Sequence, residues 1–134
     1  MKSFKLMFMG TPDFSVPVLD ALVEEDRVIA MYHGTTVGNM VALSSDPLLL
    51  NWEKVTGDAV IPISHPTGFP LPYSVYDPCI WKMDTVYYGL LAGRVDEGPG
   101  GKPVPTAYLF RSPDLVNWQY MHPFVEEDHF TLIG

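Results

Sequence analysis

Positive charge is scarce in this sequence: 8 Lys and Arg stand against 16 Asp and Glu, for a formal net charge of -8. So acidic a surface repels nucleic acid and anionic membranes, which excludes both as expected partners and suits a neutral ligand better. There is one cysteine, Cys79, so no internal disulfide can form, and its apolar surroundings read as those of a small buried hydrophobe. No stretch reaches the roughly 18 apolar residues of a membrane span. The apolar residues after Lys2 and Lys5 are broken at Thr11-Pro12-Asp13, which leaves no room for the core of an export signal. A soluble, cytoplasmic protein is the expectation.

Other chemistries are missing too. The four histidines, His33, His65, His122 and His129, are separated by 32, 57 and 7 residues, which fits no short ligand spacing, so no metal is expected. Gly98-Pro99-Gly100-Gly101-Lys102 lacks the Ser or Thr and the following helix of a phosphate loop and reads as a flexible turn. No serine is set with a His and a carboxylate in a recognisable hydrolase context. No cofactor is expected.

What is present is apolar substance: 47% hydrophobic and 13% aromatic residues in 134, enough for one domain with a sizeable core. The stretch from Tyr73 to Gly93 organises it. Two apolar runs, Cys79-Ile80-Trp81 and Val86 to Ala92, flank the polar link Lys82-Met83-Asp84, the pattern of a hairpin. Ahead of them Asp77 stands between Tyr76 and Pro78. Proline stiffens the chain after Asp77 and disfavours the α region for it, so this carboxylate belongs on extended backbone at the mouth of a strand. An Asp-Pro pair is also ordinary turn chemistry.

Elsewhere the signals are mostly β. Phe4 to Met9 reads as a buried strand closed by Gly10-Thr11-Pro12-Asp13. Val18 to Glu25 fits a short helix, with Val18, Leu19, Leu22 and Val23 at helical spacing, and fits a strand equally. Val28 to Tyr32 is a strand, His33 to Asn39 a glycine-bearing turn, and Met40 to Leu43 a second strand, with Asn51-Trp52-Glu53-Lys54-Val55 a short third. Residues 56–72 hold four prolines and two glycines and read as a long surface loop, a kind that is often functional.

The pattern repeats. Asp84 to Gly93 has the shape of Asp26 to Gly34, and Ser112-Pro113-Asp114-Leu115-Val116-Asn117-Trp118 echoes Ser45-Asp46-Pro47-Leu48-Leu49-Leu50-Asn51-Trp52. Asp128 to Gly134 starts the motif again. Asp26, Asp84 and Asp128 are 58 and 44 residues apart, and acidic clusters precede the first and third copies, at Glu24-Glu25-Asp26 and Glu126-Glu127-Asp128. Repeats of this length with several short strands are those of β-propeller blades, so the expected fold is all-β, a partial propeller of two antiparallel blades and the start of a third. Incomplete rings leave strand edges that attract further strands, so a homo-oligomer is expected.

Four segments together resemble one family. Met31-Tyr32-His33-Gly34-Thr35, the Asn-Trp turn at 45–52, Tyr76-Asp77-Pro78 with its aromatic strand, and Tyr108 to Trp118 are similar to the five-bladed propeller of glycoside hydrolases of the fructosidase and invertase type and related furanosidases. The resemblance runs from about residue 20 to the end. It implies a retaining mechanism with three acidic residues: a nucleophile in the first blade, an Asp in an Arg-Asp-Pro motif that steadies the transition state, and an acid/base Glu further on. Asp77 matches the second, with Tyr76 in place of the arginine. Neither of the other two is matched, so hydrolysis by this chain alone is not expected. Tyr32, His33 and Tyr76 would contact substrate, an oligosaccharide.

Phe8 to Leu22, with Gly10-Thr11-Pro12-Asp13-Phe14 at its heart, resembles the opening strand, loop and helix of methionyl-tRNA formyltransferases, which implies the start of a Rossmann-like domain. The Asn-His-Asp constellation of formyl transfer has no counterpart, and the net charge opposes tRNA. The chain is therefore divided into a segment of separate origin at 1–19 and a propeller-like repeat domain at 20–134.

Overall fold

The computed structural model describes residues 2–7, 18–24, 26–34, 36–63, 67–95 and 99–124. The expected strand over Phe4 to Met9 appears as β1 (Lys2–Met7). It is followed by β2 (Val18–Val23), β3 (Val28–Gly34), β4 (Gly38–Ser44), β5 (Glu53–Lys54), β6 (Ile61–Pro62), β7 (Val75–Met83), β8 (Val86–Val95), β9 (Val104–Ser112) and β10 (Gln119–Pro123). Among the described residues the only helical turn is the 3-10 turn Pro99–Gly101. Every strand pairing is antiparallel.

Two sheets result. The first runs β1-β2-β3-β4-β5, with β6 also on β4; the second runs β10-β9-β8-β7. The ambiguous stretch after Pro17 is thus a strand: β2 lies between β1 and β3, antiparallel to both, where the formyltransferase resemblance implies a helix. Ala21 and Leu22, on its two sides, are both buried, so each face of β2 is covered. A strand places successive residues on opposite faces in this way.

Strand β7 packs over β2, β3 and β4 and closes the main core between the sheets. Ile29, Met31 and Val41 from the first sheet meet Ile80, Leu91 and Phe110 from the second. Strand β8 shows the alternation plainly: Tyr87, Gly89, Leu91 and Gly93 turn inward. At Gly93 the space belongs to others, since a Cβ there would stand 2.0 Å from the Ser74 carbonyl oxygen and 2.7 Å from the Tyr108 ring. That close approach lets the chain enter β7.

The hairpin links differ slightly from the sequence reading. Lys82 and Met83 continue β7, and the turn is Asp84-Thr85, with Asp84 at φ 56°, a left-handed conformation that aspartate tolerates. The β3–β4 strands extend to Gly34 and Gly38, so His33 and Asn39 are paired strand residues rather than turn. The long loop carries β6, whose Ile61 is buried in the core.

Candidate functional site

Strand β7 opens with an irregularity. Val75 pairs with Gly93 and Pro78 with Leu91, so β7 holds one residue more than β8 between these pairs. Proline has no N–H to give to a ladder, and a bulge is where a strand accommodates it. The Pro78 ring is buried, while Tyr76 and Asp77 are displaced to the surface. Asp77 therefore sits at the mouth of a strand, and it has no hydrogen-bond partner among the described residues.

The backbone of Tyr76 is held from beneath. Asn39, fully buried on β4, donates from Nδ2 to the Tyr76 carbonyl at 2.9 Å. Its Oδ1 lies 3.0 Å from His33 Nδ1. The His33 ring meets the Tyr76 ring edge-on, with centroids 5.7 Å apart and planes at 62°. His33, Tyr76 and the Asp77 backbone thus form one connected group, with Asn39 as its unforeseen centre. The sequence signal for Asn39 was its place opposite His33 in a hairpin, which a turn reading over 33–39 concealed.

Tyr32 is placed elsewhere. It neighbours His33 on β3 and so faces the other side of the sheet, where it packs with Val28 and Trp52 around Ala21 and Ala30. Burial raises its phenol above the ordinary value. His122 is exposed and donates from Nδ1 to the Pro123 carbonyl at 2.7 Å. His65 and His129 lie outside the described residues. Among the described residues no group of three or more His, Cys, Asp or Glu is arranged to hold a metal ion, and no helix is long and apolar enough to cross a membrane.

A second polar centre joins the sheets at the other end of β7. Glu24, in the β2–β3 turn, accepts from Arg27 Nε at 2.7 Å, from Lys82 Nζ at 3.0 Å and from the Tyr87 hydroxyl at 2.5 Å. Arg27 also donates to that hydroxyl, and the Lys82 ammonium lies 4.7 Å from the Tyr87 ring centroid. Burial alone would raise the Glu24 carboxyl, but the hydrogen bonds from Tyr87, Arg27 and Lys82 outweigh it and bring the group to about 2. This residue stood out in the sequence only as part of an acidic cluster.

The two Asn-Trp segments fold into matching turns. Asp114 accepts from the backbone N–H of Val116 and Asn117 and from Asn117 Nδ2. Asp46 accepts from the N–H of Leu48, Leu50 and Asn51 and from Asn51 Nδ2. Trp118 donates to the Leu115 carbonyl and Trp52 to that of Leu49, and both leucines have positive φ, 72° and 55°. The Asn117 and Val116 hydrogen bonds hold the Asp114 carboxyl down at about 2. An open depression of about 470 Å³ beside the first of these turns is lined by Asp26, Arg27, Leu43, Ser45, Asp46, Asn51 and Glu53. It lies at the opposite end of β3 and β4 from His33 and Asn39, so it is not part of the Asp77 group.

Two antiparallel sheets, one of six described strands and one of four, packed face to face and each carrying an Asp–Asn–Trp turn, make this a partial β-propeller. The GH32 β-fructofuranosidase of Bombyx mori has the same fold: it superimposes with a TM-score of 0.62 at 18% identity, covering 94% of this chain and 33% of that one. A mutant of that enzyme in complex with sucrose superimposes at 0.61, with the same identity and coverage. Among curated sequences, the methionyl-tRNA formyltransferases of Jannaschia sp. and Roseobacter denitrificans are 34% and 30% identical over 98 residues, each covering 54% of this chain and 32% of the relative. That of Paramagnetospirillum magneticum is 66% identical over 29 residues, 21% of this chain. The chain spans about a third of the length of the first two relatives and of the solved enzymes. No family model matches it.

Proposed function

We propose that this chain is a fragment of a glycoside hydrolase-like propeller that binds carbohydrate at the mouth of β7 and does not cleave it alone. The observation that carries this is the bulge that presents Asp77 and Tyr76 at the surface, with His33 edge-on to the Tyr76 ring. Asp77 takes the part of the transition-state-stabilising aspartate of the resemblance. Retaining hydrolysis needs a pair of carboxylates about 5 to 5.5 Å apart flanking the bond, in addition to a group of this kind. Of the three acidic residues in the resemblance, Asp77 is the one matched. A fructose-containing sugar is the first ligand to try, given the sucrose held by the Bombyx mori enzyme.

Isothermal titration with sucrose, fructans and arabinose-based oligosaccharides tests the reading. Heat of binding that disappears in Asp77→Ala supports it; no heat with any of these sugars overturns it.

A second reading is favoured by the strand edges. Nine-residue β7 ends the second sheet, with β8 as its one ladder neighbour among the described residues. Such an edge is a template for further strands, and here the chain acts as an interaction module that associates with its own copies. Formyl transfer is not favoured, because β2 is an antiparallel strand where that resemblance implies a helix. The division at residue 19, which falls within β2, is proposed as a difference of origin between the two segments.

A further inference from the structure

The buried amide under Tyr76 determines more than the position of the backbone. A carbonyl oxygen can only accept a hydrogen bond, so the Tyr76 carbonyl, 2.9 Å away, requires the Asn39 amide nitrogen on its side. Asn39 Oδ1 is then turned to His33 Nδ1 at 3.0 Å. That oxygen can also only accept. The proton of the neutral imidazole must therefore sit on Nδ1, and Nε2 is left with a lone pair. The His33 ring has no other hydrogen-bond partner among the described residues.

We propose that Asn39 is a positioning residue that fixes His33 in the Nδ1–H tautomer and so makes Nε2 a hydrogen-bond acceptor beside Tyr76, the chain neighbour of Asp77, for a hydroxyl donor of a polyhydroxylated ligand. The ligand class rests on the carbohydrate reading above; the tautomer rests on the geometry of this chain alone. The chemistry is consistent at both groups. An ionised carboxylate accepts only, and a neutral His33 offers an acceptor outward, so the group is suited to ligands that bring O–H donors. The fixed tautomer also removes the choice the ring would otherwise have of presenting an N–H to the ligand. Asn39 is well placed for this role because its own amide is buried and held on both sides, so that rotating it would set a carbonyl against a carbonyl.

Long-range proton–nitrogen NMR of the full chain tests the proposal, at about pH 8, above the ordinary histidine value of about 6.5. The His33 signals are assigned by their loss in His33→Gln. The expected result is the Nδ1–H pattern for His33 in the native protein. Asn39→Leu loses it and binds sugar about tenfold more weakly, the size of one hydrogen bond. An Nε2–H pattern in the native protein overturns the proposal, as does an unchanged Nδ1–H pattern in folded Asn39→Leu. Should Asn39→Leu fail to fold, the native spectrum decides. An Nδ1–H pattern in a protein that binds no sugar supports the assignment of Asn39 and defeats the carbohydrate reading instead.

Discussion

The Glu24 carboxylate and the Lys82 ammonium meet at 3.0 Å, although 58 residues separate them in the chain. With Arg27 and Tyr87 they fasten the β2–β3 turn to the second sheet. The side chain of Glu24 is only 12% exposed, so this pair is shielded from solvent in a way that most surface ion pairs are not.

Acid is expected to loosen this fastening. The Glu24 carboxyl stands at about 2 when folded against an ordinary 4.5, so the unfolded chain binds the proton first as pH falls. Its contribution is complete above about 4.5 and is lost as pH drops towards 2. The shift corresponds to about 3 kcal/mol at most. Urea unfolding midpoints should fall across this window, and Glu24→Gln should be less stable at neutral pH while losing much of that pH dependence.

Removing Asp77 is expected to separate binding from stability. The residue is exposed and makes no hydrogen bond within the described structure, so Asp77→Ala should change unfolding free energy by no more than about 0.5 kcal/mol. Sugar binding should disappear in the same variant. A large loss of stability in denaturant titrations would show that Asp77 holds the bulge rather than presents to a ligand.

Adding a single methyl group at Gly93 should disturb the site from below. The new Cβ would meet the Tyr108 ring of β9 and the Ser74 carbonyl, and the latter is backbone that cannot yield without moving the entry to β7. Gly93→Ala is expected to cost about 1–3 kcal/mol, the range for overpacking. Its sugar affinity should fall as well, because Ser74 leads directly into the bulge. Calorimetric melting and titration of this variant check both effects.

The Asp114 turn should respond to loss of its carboxylate. Asp114→Ala removes the acceptor for two backbone N–H groups and for Asn117 Nδ2, and so loosens the turn that leads into Trp118, whose ring donates to the Leu115 carbonyl and packs on the core. A lower melting temperature and altered tryptophan fluorescence are expected. Asp114→Asn should fall between the two, since an amide oxygen can replace part of the acceptor set.

Light scattering addresses the open edges. Dimers or larger assemblies at micromolar concentration are expected if β7 or its neighbours recruit strands from another copy. A stable monomer under those conditions contradicts self-association.

Much of this fold was legible because its signals are local. The β7–β8 hairpin and the paired Asn-Trp turns follow from residues within a few positions of each other, and the propeller class from the recurrence of those local patterns along the chain. Val18 to Val23 was not settled, because its apolar spacing fits two periods and only its neighbours β1 and β3 decide between them. Asn39 and Glu24 were hidden for a different reason. Their partners, Tyr76 and Lys82, lie 37 and 58 residues away, and no local pattern announces a bond of that reach. Tyr32 was grouped with His33 through the resemblance of Met31 to Thr35, and neighbours on a strand turn to opposite faces.

The two aspartate turns reach the same end by different routes. Counting back from the tryptophan, Leu49 and Leu115 match, as do Asn51 and Asn117, yet Asp46 lies two residues further away than Asp114. The carboxylate clamp therefore accepts an extra Pro47-Leu48 without surrendering its bonds. It is at such a clasp that a blade can lengthen or shorten its outer connection, by deletion or by graft, while the strands on either side keep their alignment.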